Sequence, residues 1–96
     1  MTKRVKMSQE EIDSVLKDLP GWRLQDGKLH REFKFKDFVD AFGFMAKVAL
    51  IAEKLNHHPN WSNVYSGVSI DLFTHDLDGV SYMDVEFARA TNEVCR

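Results

Sequence analysis

Ninety-six residues suffice for one small domain with a modest core, so association with further copies is an expected source of extra buried surface. A hydrophobic share of 44%, a charged share of 29% and a formal net charge of -2 describe a soluble globular chain. There is no basic stripe for direct nucleic-acid contact and no apolar run long enough to span a membrane. The single cysteine, Cys95, leaves no intrachain disulfide, which fits a reducing compartment. The first residues, MTKRVKMSQEE, carry positive charge without a following apolar segment, so they do not read as a secretory signal. The expected location is cytoplasmic, with a nuclear pool compatible with this size.

In chain order, Ser8-Gln9-Glu10-Glu11 reads as a capping box flanked by a Met7/Ile12 staple. Ile12, Val15, Leu16 and Leu19 then follow the spacing of one helix face, and Pro20-Gly21 ends it. Trp22–Leu24 and Leu29–Phe35 read as strands joined by the hairpin signal Asp26-Gly27. Alternation in the second strand predicts one buried and one polar face. His30 falls on the polar face and is assigned no function.

A long helix is expected from about Asp37 to Leu55, with Phe38, Phe42, Met45, Ala49 and Ala52 as its buried stripe. Pro59 closes that run. Asn63–Tyr65 and Val68–Phe73 read as a second hairpin around Ser66-Gly67, and Ser81–Asp84 as a capping box opening a last helix to about Val94. The order α-β-β-α-β-β-α predicts an α+β fold: a four-stranded antiparallel sheet with helices packed on one face.

The chemistry concentrates in Glu53-Lys54-Leu55-Asn56-His57-His58-Pro59-Asn60-Trp61 and in Thr74-His75-Asp76, which hold three of the four histidines. Imidazole both accepts and donates protons near neutral pH. Glu53 and His57, four apart, share a helix face, which also suits a plain surface pair at a helix end. His57 and His58 would point about 100° apart if the helix continued. The second hairpin returns the chain so that His75 can approach the pair. Trp61 could cover core or stack on a flat ligand, and Asp84 has a ready role in its capping box. There is no His-x-x-x-His, CxxC or HExxH spacing and no phosphate-binding glycine loop. Metal-free acid–base work by imidazoles is therefore the expected chemistry, with no metal and no cofactor.

These residues resemble the pterin-4a-carbinolamine dehydratases, over almost the whole chain and most densely from Ala52 to Asp84. The shared signature is Glu53, His57-His58-Pro59, the aromatics Trp61 and Tyr65, Thr74-His75, and Asp84 opening a helix. The resemblance implies dehydration of a 4a-hydroxytetrahydropterin to the quinonoid dihydropterin, in recycling of the tetrahydrobiopterin cofactor. It implies catalytic roles for His57, His58 and His75, with His57 and His75 flanking the departing hydroxyl and His58 at the pterin edge. Glu53, Asn56, Trp61, Thr74, Asp76 and Asp84 form the implied substrate-binding set. Asn56 departs from the pattern, standing where many members carry Asp. The resemblance also implies a homodimer or homotetramer. In animals the family doubles as the dimerisation cofactor of a hepatic homeodomain transcription factor, so the competing expectation is a binding protein.

Overall fold

A computed structural model gives the architecture and describes residues 5–95. The first four residues of the expected leader-free N-terminus lie outside that range. The elements are α1 (Gln9–Leu16), β1 (Arg23–Gln25), β2 (Lys28–Lys34), α2 (Phe38–Leu55), β3 (Asn60–Val64), β4 (Gly67–Leu72) and α3 (Tyr82–Cys95). A short 3₁₀ turn, His75–Leu77, precedes α3 and was not expected from the sequence. The four strands form one antiparallel sheet in the order β1-β2-β4-β3.

Local chemistry explains most boundaries. Ser8 Oγ accepts from Glu11 N–H while Glu11 Oε1 accepts from Ser8 N–H, so the expected capping box is formed. Asp26 and Gly27 both take positive φ, 53° and 77°, as a two-residue hairpin turn between strands of natural twist requires. Asp37 caps α2 by accepting from Asp40 N–H. The second hairpin turns one residue earlier than expected, because Val64 pairs with Gly67 and leaves Tyr65-Ser66 as the loop. β3 also starts earlier, at Asn60, since its first residues find partners on β4 that local sequence does not reveal.

The sheet has two distinct faces. Leu29 and Phe33 of β2 lie opposite Leu72 and Val68 of β4, and with Ile70 they meet the helices. The other face carries His30 opposite Asp71, Glu32 opposite Ser69, and Lys34 opposite Gly67. Buried residues of α2 and α3, among them Phe44, Val48, Phe87 and Ala88, complete the core.

The expected stripe on α2 needs correction. Ala41, Phe44, Val48 and Ala52 are buried, whereas Phe38, Phe42 and Ala49 are exposed and Met45 is half-buried. α2 is apolar almost all round, so periodicity offers two stripes, and only contact with the sheet and α3 selects one. Phe38 and Phe42 of the expected stripe stay at the surface together with Val39 and Leu50, the last 72% exposed.

Candidate active site

The end of α2 sets the site. Asn56 N–H bonds to Glu53 O, and His57 N–H reaches back to Ala52 O at 3.1 Å. This pair of bonds is a Schellman closure, which needs a left-handed residue between them. Asn56 supplies it at φ 51°, a conformation that asparagine tolerates better than most side chains. The helix therefore stops before His57, and the chain leaves it at a new angle.

Consequently the two adjacent histidines part company. His57 turns inward and is buried, its ring edge-on to Phe87. His58 turns outward, and its Nε2 lies 3.1 Å from Glu53 Oε2. The expected Glu53–His57 pair is replaced by Glu53–His58, because the left-handed residue ends the four-residue periodicity that the expectation assumed.

His57 Nε2–H donates to Asp84 Oδ1 at 2.5 Å, since a carboxylate oxygen can only accept. Asp84 is fully buried and its other oxygen accepts from Thr74 Oγ1–H at 2.8 Å and Ser81 N–H at 2.9 Å. Thr74 Oγ1 and Ser81 Oγ are 2.7 Å apart. Asp84 thus performs its capping role at the start of α3 and anchors two further segments. One is the loop carrying His57 and His58. The other is Thr74, the residue directly before His75.

His75 opens the 3₁₀ turn, held by Leu77 N–H and Gly79 N–H to Thr74 O. Its exposed ring meets Phe73 edge-on at 5.2 Å. Among the described residues no hydrogen bond engages the ring, which leaves its nitrogens to solvent or a ligand.

A cleft of about 340 Å³ brings the segments together, lined by Lys28, His58, Pro59, Asn60, Asp71, Phe73 and His75. That volume lies in the range of small-molecule sites. Of the expected site residues, His58 and His75 line the cleft. His57, Thr74 and Asp84 are buried beside it as its frame. Asn56 is the helix-ending residue. Asp76 lies in the 3₁₀ turn, exposed. Trp61 faces the other way: it pairs with Ile70 on the helix-covered side and packs against the core.

Lys28, Asn60, Asp71 and Phe73 line the cleft without having been singled out in the sequence. Strand alternation carried part of the signal, because Lys28 and His30 share one face of β2, and Asp71 and Phe73 alternate along the chain toward His75. Their convergence depends on the β2–β4 register. A larger concavity, about 680 Å³, opens elsewhere between Pro20, Arg31, Arg89, Asn92 and Cys95. It contains no imidazole, so volume alone is a poor guide to the chemistry here. Among the described residues no three His, Cys, Asp or Glu side chains cluster as metal ligands would. None of the described helices is long and apolar enough to cross a membrane.

Residues 5–94 match the family model for pterin 4 alpha carbinolamine dehydratase. A Prochlorococcus marinus (strain MIT 9303) protein, provisionally named pterin-4-alpha-carbinolamine dehydratase, is 52% identical over 86 residues, covering 90% of both chains. A Synechococcus sp. (strain WH7803) protein with the same provisional name is 51% identical over 89 residues, covering 93% of this chain and 96% of its own. The crystal structure of a transcriptional coactivator/pterin dehydratase from Brucella melitensis superposes with a TM-score of 0.91 at 45% identity, covering 95% of this chain and 99% of that one. With the match running through both histidine segments and the Asp84 anchor, the chain belongs to the pterin 4 alpha carbinolamine dehydratase family.

Proposed function

We propose that this protein dehydrates a 4a-hydroxytetrahydropterin to the quinonoid dihydropterin by acid–base catalysis on imidazoles. The observation that carries the reading is the meeting of His58 and His75, from two separate segments, in one cleft framed by the His57–Asp84 pair. Loss of water from a carbinolamine requires a proton delivered to the C4a hydroxyl and another removed from N5. The delivered proton leaves within the water, and the proton from N5 restores the balance. A protonated and a neutral imidazole suffice. His75, whose ring makes no hydrogen bond among the described residues, and His58 beside Glu53 are the groups that reach the cleft. His57, hydrogen-bonded to Asp84, supports them from behind and completes the proton-transfer set. Each positioned proton transfer contributes roughly 10²–10⁴-fold.

The test is direct. The purified chain should accelerate formation of the quinonoid dihydropterin from a freshly generated carbinolamine, and EDTA should leave the rate unchanged. Activity that disappears with EDTA and returns with zinc would overturn the imidazole mechanism. In a cell, the reaction fits recycling of tetrahydrobiopterin in the cytoplasm.

A second reading concerns association. Phe38, Val39, Phe42 and Leu50 on α2 and Val64 and Tyr65 at the end of edge strand β3 are all exposed, Tyr65 by 83%. Exposed apolar surface of this kind marks an interaction face. The chain should form a homodimer or homotetramer at micromolar concentration. Sedimentation showing one species at the monomer mass would refute this. The coactivator description of the Brucella melitensis relative supports an additional role with a transcription factor.

A further inference from the structure

On the open face of the sheet His30 is almost completely buried, although it stands on the strand's polar side. Its two ring nitrogens face two carboxylates: Nδ1 is 2.6 Å from Asp71 Oδ1, and Nε2 is 3.0 Å from Glu32 Oε2. Carboxylate oxygens accept, so both ring nitrogens donate and the ring is an imidazolium. Asp71 lines the cleft with His58 and His75. Among the described residues no Lys or Arg pairs with Asp71, and no hydrogen bond reaches its Oδ2; the nearby Lys28 Nζ sits over the Phe73 ring, 5.7 Å from its centre. A carboxylate held rigidly through one oxygen, with the other unclaimed beside a cleft, is a ready acceptor for a ligand.

We propose that Asp71 binds substrate, its Oδ2 accepting a hydrogen bond from an N–H or O–H donor of the ligand in the cleft, and that His30 is the positioning residue that orients Asp71. This rests on the pterin reading of the cleft. The 2-amino and N3–H groups of a reduced pterin are donors of the required kind.

The charged groups around His30 are Arg23 on β1, Lys28 and Glu32 on β2, and Asp71 on β4. Burial by itself would lower the His30 pKa. Hydrogen bonds to Glu32 and Asp71, with the negative charge of Asp71, outweigh burial and the opposing Arg23 charge, and hold it above the ordinary 6.5. A raised folded-state pKa means that the pairing contributes fully below about pH 6.5 and fades as pH rises through the raised value. Lys28, His58 and His75 also line the cleft, so the His30 ring is best followed directly by NMR.

Three measurements test the proposal: steady-state kinetics, the Kd for a 7,8-dihydropterin that has no hydroxyl to lose, and the NMR titration of His30. Asp71→Asn should raise KM and Kd about tenfold or more, as expected for loss of a hydrogen bond to a charged acceptor, with kcat within about twofold. His30→Phe should raise both constants in the same direction and add little on the Asp71→Asn background, as residues acting through one contact do. His30→Gln serves where the Phe variant does not fold. The His30 titration should move to lower pH in Asp71→Asn. Wild-type KM and Kd for the variants, with wild type binding the probe, would overturn the proposal and leave the dehydratase reading intact. A wild-type protein that neither binds the probe nor turns over a carbinolamine would overturn both.

Discussion

His75→Ala should lower kcat by at least about tenfold, and by up to about 10⁴-fold if His75 alone supplies one of the two proton transfers. The residue suits this test because its ring is exposed and touches Phe73 only edge-on. Its removal opens no core cavity, so the melting temperature should hardly change. KM should change far less than kcat, since a proton transferred only in the transition state contributes little to ground-state binding. His57→Ala should also lose at least about tenfold in rate, because the positioned imidazole behind the cleft is lost. That ring is buried against Phe87 and Asp84, so this variant should melt lower as well. Rates within twofold of wild type for His75→Ala, with the fold intact, would remove His75 from the mechanism.

Asp84→Ala should be the most destabilising single substitution at the site. Three groups depend on this fully buried carboxylate, the His57 ring, the Thr74 hydroxyl and the Ser81 backbone N–H, and through them the start of α3. Removing one partner of a buried charged network costs about 3–5 kcal/mol, because the others are left unsatisfied. For a domain of this size that corresponds to a fall of roughly 15–30 °C in melting temperature. Asp84→Asn separates stability from chemistry. If the amide oxygen keeps the bonds from Thr74 and Ser81, the amide NH₂ faces His57 Nε2. The ring must then accept there and carry its proton on Nδ1. The Asn variant should therefore retain more stability than the Ala variant and still lose about tenfold or more in kcat. Calorimetry and kinetics on the two variants check both halves. A melting temperature for Asp84→Ala close to wild type would show that the network is not the anchor of the site.

Much of the fold and the position of the site can be read directly from the amino-acid order, because the signals are local. Ser8 with Glu11, Asp26 with Gly27, and Ser81 with Asp84 are turn and cap chemistries completed within four residues, and they mark element ends wherever the chain goes afterwards. Alternation along β2 and β4 identifies a sheet with one apolar face for the same reason. The concentration of imidazoles at the end of α2 and after β4 likewise points to the site.

Tertiary structure decided what depends on direction and on distant partners. On α2, apolar residues surround the axis, so the buried stripe is chosen by β4 and α3 and not by spacing. At Asn56 one left-handed residue reverses the roles of its neighbours: His57 goes inward to Asp84, 27 residues away, and His58 goes out to the cleft. Trp61 sits on the covered side because its register partner is Ile70. His30, unremarkable on a polar strand face, becomes a buried cation because the β2–β4 register sets Asp71 beside it, 41 residues further on. Each of these outcomes rests on packing between distant elements, on a pairing across the sheet or on one backbone dihedral, and none of these leaves a periodic trace in sequence.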